Sequence, residues 1–511
     1  MRIAALDLGS NSFHMLVAEA TEKGKLEVLA REKDMLRLGD DVGRTGRISK
    51  PKADAAADSI RRLVAVARSL GVDEIVVKAT AALREAENGS DLVDRLENEG
   101  KINIQVISGH EEARLVYTAV RSAVALEPSP VLCLDLGGGS LEMMVGDQAK
   151  LEWSASLRLG VGRLHAELVS HDPLSEGDHQ RLRARMDQCL APHMGRLSDL
   201  RPKKLVGSSG TLLALARMAA LARPGFLPPP SWNQLCVSRG ELEVLHRSLV
   251  GSTSAERARM AGLDARRADL IPVGSVLLLH LMDRLGLLEM TMSEWSLREG
   301  IILDTVSSED RYDWASDPAT LRRDSVGALA ERCRYQADHA ERVRSFSLDL
   351  FDGLMAIHGL GTRDRELLSH AAVLHDIGEH VSIDGHERHG AYLVVNGGLR
   401  GFSPQEVLTI AAMVRWHRRG SPAKGSFEPL DNPGDAERQR VLKLVAILRV
   451  ADALDRSHEG AVQAVDVQVS KGRVELVLHS DGGAELETWA LRRKKSLFEE
   501  MFQVSLAARE A

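Results

Sequence analysis

Aromatic side chains make up only 4% of this 511-residue chain. Its cores must therefore be built from Ala, Val, Leu and Ile, and a protein that stacks nucleic-acid bases on aromatic platforms is not expected. Cysteine is scarce: Cys133, Cys189, Cys236 and Cys333 are scattered, with no Cys-x-x-Cys pair. That usage reads as reduced thiols in a cytoplasmic protein. The first residues already form a strand-like run, so no signal peptide is visible, and no uninterrupted apolar run approaches membrane-spanning length. Positive charge is not in excess either. The formal net charge of −7 gives no global attraction to a polyanion, so neither nucleic acid nor a membrane is an expected partner. A polyanionic substrate would need local basic patches. Candidates are Arg158/Arg163, Lys203/Lys204, Arg415/Arg418/Arg419 and Arg492-Arg493-Lys494-Lys495, each of which also reads as solvated surface charge.

Against this plain background stand two glycine-rich loops with one grammar. Asp7-Leu8-Gly9-Ser10-Asn11-Ser12 follows the apolar run Ile3–Leu6, and Asp135-Leu136-Gly137-Gly138-Gly139-Ser140 follows Val131–Leu134. Glycines let backbone N–H groups approach phosphate oxygens, and the hydroxyls add donors. A carboxylate at a strand end can hold a metal or orient water. One such loop is compatible with an ordinary turn; two in matching context imply a duplicated fold with a phosphate-handling cleft.

The length allows three or four domains. Residues 1–124 alternate strands and helices, and residues 125–305 restart the same plan, which predicts α/β architecture with a largely buried sheet in each half. A third glycine-rich segment, Gly207-Ser208-Ser209-Gly210-Thr211, precedes a helix and is either an anion seat or a plain turn. Over 306–458 strand signals vanish and amphipathic helices dominate. In 459–511 a hairpin is expected around Lys471-Gly472, followed by a helical tail over Ser496–Ala508.

Strand Ile102–Ile107 leads through Ser108-Gly109-His110 into a helix that begins Glu111-Glu112. Acidic residues in a first turn complement the helix dipole; one of them can equally serve as general base toward a water attacking phosphorus. Spacing does not choose between the two. Arg84 can clamp a phosphoryl group, and Asp135 with Glu142 makes a plausible Mg²⁺ seat. These segments, together with Lys78–Arg84, Ile107–Ala113, Gly207–Thr211 and Leu297-Arg298-Glu299-Gly300, occur in an order that resembles the exopolyphosphatase / guanosine pentaphosphate phosphatase (Ppx/GppA) family, on the actin-like, sugar-kinase-like fold. The resemblance covers about residues 1–305. It implies Glu112 as catalytic base and phosphate and Mg²⁺ binding around Arg84, Asp135 and Glu142. It further implies release of orthophosphate from the end of polyphosphate, or conversion of guanosine pentaphosphate to the tetraphosphate, by a homodimer.

In the helical region, polar residues fall on otherwise apolar helix faces: His339, His375-Asp376, His417 and Asp452. A buried unpaired Asp is costly, so such intrusions suggest that they meet one another or a metal. The order His339…His375-Asp376…Asp452 resembles the HD phosphohydrolase superfamily, in which His389 and His417 would supply a second metal and His386 competes with His389. Imidazole and carboxylate ligands suit Mn²⁺, Fe²⁺ or Ni²⁺. The alternatives to an active site here are a vestigial bundle that docks substrate or dimerises. For the whole chain, the remaining alternatives are an HD-domain metal-dependent nucleotide phosphohydrolase and a non-catalytic sensor of polyphosphate or the alarmone.

Overall fold

The computed structural model describes residues 1–20, 26–307, 317–418, 427–430, 433–480 and 483–511, so Arg419 lies outside the described residues. Two compact units are present, Met1–Leu321 and Arg322–Ala511.

In the first unit, β1 (Arg2–Leu8), β2 (Ser12–Ala20), β3 (Leu26–Met35), β4 (Glu74–Ala79) and β5 (Ile104–Val106) form a five-stranded sheet in the order β3-β2-β1-β4-β5. β1–β2 and β2–β3 are antiparallel, while β1–β4 and β4–β5 are parallel. The second sheet uses β6 (Val131–Leu136), β7 (Leu141–Gly146), β8 (Leu151–Leu157), β9 (Lys204–Ser208), β10 (Cys236–Ser238) and β11 (Glu289–Met292). Its order, β10-β11-β9-β6-β7-β8, repeats the first plan with one added antiparallel edge strand. Both glycine-rich loops are therefore the hairpin connections of equivalent strand pairs, β1–β2 and β6–β7.

Burial on both faces explains the unbroken apolar runs. Along β1, Ala4, Leu6 and Leu8 enter one core and Ile3 and Ala5 another; along β6, Leu132, Leu134 and Leu136 part from Val131 and Cys133 in the same way. Ile3, Ala5, Val131 and Cys133 share one core between the sheets, filled by helices Gly109–Ala123 and Leu297–Ser307. Those helices meet where a Cβ on Gly300 would lie 2.0 Å from the Leu115 carbonyl oxygen, so only glycine permits the approach. β3 had no clear pattern in the sequence because it is an edge strand rich in charge, Glu27 through Asp34.

The second unit packs helices Ala337–Gly353, Thr362–Leu374, Pro404–Trp416 and Asp435–Ala453 around one hydrophobic core, which also takes in Val462, Val474, Leu476 and Leu478 of a small sheet. That sheet is β12 (Val462–Ser470), β13 (Arg473–Ser480) and β14 (Ser505–Glu510). The expected hairpin turns at Lys471-Gly472. The tail departs from expectation: the helix stops at Phe502, Gln503 turns the chain at φ 54°, and β14 pairs parallel to β13. The open edge of β13 and the burial of Leu506 outweigh local helix propensity. Among the described residues no helix is long and apolar enough to cross a membrane.

Candidate functional site

The first unit holds a cavity of about 380 Å³ lined by both hairpin loops. Gly9, Ser10, Asn11 and Ser12 face Gly137, Gly138, Gly139 and Ser140 across it. The loops touch: a Cβ on Gly138 would stand 3.0 Å from Asn11 Cβ, and one on Gly139 would stand 2.5 Å from Ser10 Oγ. Ser209, Gly210 and Thr211 at the start of helix Gly210–Leu221 also line the cavity. Gly207 and Ser208 do not. Ser208 is buried beneath, its hydroxyl donating to Asp135 at 3.1 Å, and Gly207 abuts the Met290 sulfur. Of the third glycine-rich segment only the last three residues reach the cavity, because β9 runs on through Ser208.

Asp7, Glu112, Asp135 and Glu142 converge on this cavity. Asp7 and Asp135 occupy the same next-to-last place on β1 and β6. Glu142 stands directly opposite Asp135 in the antiparallel β6–β7 ladder, so the register sets two carboxylates side by side. Like charges so placed repel. Burial, with Asp135 next, pushes the Glu142 carboxyl up to about 8, and burial raises Asp7 to about 7 and Asp135 above its ordinary value. Hydroxyls give partial relief: Ser296 donates to Asp135 at 2.5 Å and Ser156 to Glu142 at 2.8 Å. Among the described residues Asp7 Oδ1 is buried with no hydrogen-bond partner. Hard oxygens gathered with too few protein donors are the donor set of a divalent cation.

Glu112 is placed by the start of its helix. Ser108 caps that start by accepting from the Glu111 N–H, and Gly109 is so close to β8 that a Cβ would meet Ser156 Cβ at 2.3 Å. The first turn is thereby pressed against the strand whose Ser156 holds Glu142. Burial, then Glu142, raises the Glu112 carboxyl well above the usual range. Glu111 turns the other way into a two-point pair with Arg114, at 2.8 Å. Arg84 stands behind Glu112 rather than among the lining residues, donating to the Ile107 carbonyl at 2.6 Å and to Glu112 at 3.4 Å.

Four cations, Lys33, Arg217, Arg267 and Arg298, also line the cavity, and Arg298 is near enough to Asp7 and Asp135 to oppose the upward push of burial on both. Burial and the neighbouring Arg267 lower the Lys33 ammonium to about 8. None of these four belongs to the patches picked out of the sequence. Those patches are largely spent on ion pairs: Arg158 and Arg163 share Glu85, Lys204 meets Glu127, and Lys495 meets Glu499.

In the second unit His339, His375 and Asp376 come together, and so do Asp376, His386 and His417. His386, not His389, joins His417, because the first residue of helix His386–Asn396 faces inward while His389, one turn on, is only partly buried. Asp452 belongs to neither group; its buried carboxylate is taken by the Lys494 ammonium, which with His375 holds it well below the usual carboxylate range.

The profile of the Ppx/GppA phosphatase family matches residues 16–309, and that of domain III of the same phosphatases matches 321–497. The chain belongs to this family. Members of the Ppx/GppA family are phosphoanhydride hydrolases and generally use divalent metals. The chain is 28% identical over 480 residues, 93% of its length and 92% of the relative's, to a guanosine-5'-triphosphate,3'-diphosphate pyrophosphatase of Aeromonas hydrophila. It is 34% identical over 310 residues, 60% of its length and 89% of the relative's, to exopolyphosphatase 1 of Mycobacterium tuberculosis. Among solved structures it resembles an exopolyphosphatase from Cytophaga hutchinsonii (TM-score 0.58, 30% identity, 60% of this chain and 98% of that one). It also resembles the Aquifex aeolicus family member (TM-score 0.52, 25% identity, 61% and 99%). The two sheets are accordingly the two actin-like domains of a Ppx/GppA phosphatase.

Within this Ppx/GppA frame, sequence reasoning noted that a strand-end carboxylate such as Asp7 can hold a metal but left it out of the Mg²⁺ seat, and it missed the cations Lys33, Arg217 and Arg267. Asp7 had a signal, its equivalence to Asp135. The cations had none, since each is an isolated residue on a separate element and only folding gathers them.

Proposed function

We propose that this chain is an exopolyphosphatase that hydrolyses the terminal phosphoanhydride of inorganic polyphosphate. One observation carries the reading: a single cavity joins the carboxylates Asp7, Glu112, Asp135 and Glu142, two interlocked glycine loops and the cations Lys33, Arg217, Arg267 and Arg298. In the proposed reaction Glu112 takes a proton from water as the water oxygen bonds to the terminal phosphorus. The bridging P–O bond breaks, and the shortened chain leaves with that electron pair on its new terminal phosphate. Arg84 keeps the Glu112 carboxylate aligned. Backbone N–H groups and hydroxyls of Ser10–Ser12, Gly138–Ser140 and Ser209–Thr211 donate to the phosphoryl oxygens, where charge grows. Asp7, Asp135 and Glu142 would hold a divalent cation, Mg²⁺ by the hardness of its ligands, which when bound neutralises phosphoryl charge. Lys33, Arg267 and Arg298 suit the following phosphates of a polyanionic chain.

A second reading, guanosine pentaphosphate 5'-phosphohydrolase, uses the same chemistry and is favoured by the Aeromonas relative, whose similarity runs through both units. Steady-state kinetics of the purified chain on long-chain polyphosphate and on guanosine pentaphosphate test both. A kcat/KM ratio above about ten for polyphosphate supports the first; the reverse ratio replaces it with the second, and turnover of neither substrate overturns the enzyme reading.

A further inference from the structure

Arg163 is one of the basic residues that the sequence offers to a polyanionic substrate, yet it is not among the residues that line the cavity. Its side chain is 9% exposed, and all three guanidinium nitrogens have partners. Nε donates to the Gly139 carbonyl at 3.1 Å, Nη2 donates to Glu85 Oε2 at 2.6 Å, and Nη1 lies 3.7 Å from Glu167 Oε1. The exposed Arg158 holds the same Glu85 oxygen at 2.5 Å.

The Gly139 contact completes a pattern. The start of helix Val161–Leu168 takes the other two glycine carbonyls of the loop. The Val161 N–H donates to Gly137 O at 3.0 Å, and the N–H groups of Gly162 and Arg163 donate to Gly138 O at 3.0 and 3.1 Å. In a planar trans peptide an N–H points opposite to the carbonyl of the preceding residue. With the carbonyls of Gly137, Gly138 and Gly139 drawn to the helix and to Arg163, the N–H groups of Gly138, Gly139 and Ser140 face away from them. Among the described residues none of these three N–H groups donates to a backbone carbonyl, and all three residues line the cavity. Backbone contacts turn the first two peptides. A side chain turns the third, between Gly139 and Ser140.

That side chain is set from the other domain. Glu85 ends helix Ala81–Glu85, and its chain neighbour Arg84 donates to Ile107 O and to Glu112. Consecutive residues of one short helix thus reach the proposed base and, through Arg163, the second glycine-rich loop.

We propose that Arg163 is a positioning residue of the phosphoryl site. Its guanidinium keeps the Gly139–Ser140 peptide turned so that the Ser140 N–H meets a phosphoryl oxygen, and Glu85 keeps the guanidinium in place. The role rests on the reading of the cavity as a phosphoanhydride-hydrolysing site. An arginine suits it because a planar fork reaches a carbonyl and a carboxylate at once, which a single ammonium does less well. Without Arg163 the Gly139 carbonyl is free to turn into the cavity, where its oxygen repels the phosphoryl oxygens.

The test compares full-length variants by kcat/KM on polyphosphate and by calorimetric affinity for methylenediphosphonate with Mg²⁺; the P–C–P bridge of this probe does not hydrolyse. Arg163→Met should lower kcat/KM about 100-fold, the scale of one misaligned oxyanion donor, and weaken diphosphonate binding about tenfold. Arg163→Lys should recover part of this, leaving about a tenfold loss in kcat/KM, and it carries the test if the methionine variant does not fold. Arg158→Met removes an equal charge from Glu85 without touching the loop and should stay within about threefold of the unmodified protein. Glu85→Gln should cost about tenfold alone and less than about twofold in the Arg163→Met background, because it acts through Arg163. A role in stability alone would lower the urea midpoint and leave both readouts of the folded protein unchanged. That result overturns the proposal, as does an equal loss in Arg158→Met. If the unmodified protein hydrolyses neither polyphosphate nor guanosine pentaphosphate while Arg163→Met still weakens diphosphonate binding, the hydrolase reading fails and the positioning role stands. An unmodified protein that neither hydrolyses those substrates nor binds the diphosphonate overturns both.

Discussion

Gly139 and Ser10, from hairpins of different sheets, approach so closely that a Cβ on the glycine would lie 2.5 Å from the serine Oγ. Ser10 is buried, so the hydroxyl has little room to yield. The two glycine-rich loops are thus one interlocked unit. Gly139→Ala should push them apart and lower kcat/KM roughly 100-fold, the scale of an ångström-sized misplacement of binding groups. Gly240→Ala, in a helix where a Cβ meets nothing within 4 Å, is the control and should leave kinetics unchanged. Equal kinetics for both variants would remove the interlock from the account.

Glu112→Gln should reduce kcat by about 10²–10⁴ with KM nearly unchanged, as expected for loss of a general base. Glu111→Gln should cost less than about threefold in kcat, because its carboxylate is paired with Arg114 outside the cavity. A dead Glu111 variant beside an active Glu112 variant reverses the assignment.

Asp135→Asn and Glu142→Gln each remove a hard ligand from the cross-strand pair. Both should raise the Mg²⁺ concentration for half-maximal activity, by about tenfold or more. Mg²⁺ titrations that superimpose on that of the unmodified protein would show that the pair does not hold the cation.

The same carboxylates predict how stability changes with pH. Asp7 and Glu142 titrate in the folded protein at about 7 and about 8, above the 3.8 and 4.5 of free carboxyls. The folded state therefore keeps protons that the unfolded chain has already released. Their contribution is fully present below the free-carboxyl values and is lost as pH rises through 7 to 8. Urea midpoints of the first unit's transition should fall between about pH 5 and pH 9 without metal. Saturating Mg²⁺ should flatten that fall by favouring the ionised forms. A slope unaffected by Mg²⁺ would count against a cation among these groups.

In the second unit, Lys494→Met leaves the buried Asp452 carboxylate without its ammonium partner. Breaking a buried pair on one side should destabilise this unit by roughly 3–5 kcal/mol. The double variant Asp452→Leu/Lys494→Met should recover most of that loss. Chemical denaturation followed in this unit distinguishes the two; a double variant no more stable than the single one would refute the pairing argument.

Much of this was legible in the chain. The repeated grammar of Asp7–Ser12 and Asp135–Ser140 announced a duplicated α/β fold, because strand, carboxylate and glycine turn are all local patterns. Apolar spacing marked the helices of the second unit and the odd polar residues on them. The terminal strand Ser505–Glu510 was missed because its reason lies at the edge of β13, far away in sequence.

The sequence by itself determined most of the element types, the glycine-rich loops and the short list of carboxylates and histidines, since these depend on residue chemistry and on neighbours a few positions away. Tertiary structure decided which members of that list meet. It set Glu142 opposite Asp135 through strand register, turned Glu112 inward and Glu111 outward, put His386 rather than His389 beside His417, and gave Asp452 to Lys494. Each choice is an angle about a helix or a register between strands. Such angles are fixed only when the whole core packs, because one residue's rotation on a helix is about 100° and one residue's slip in a sheet reverses the face.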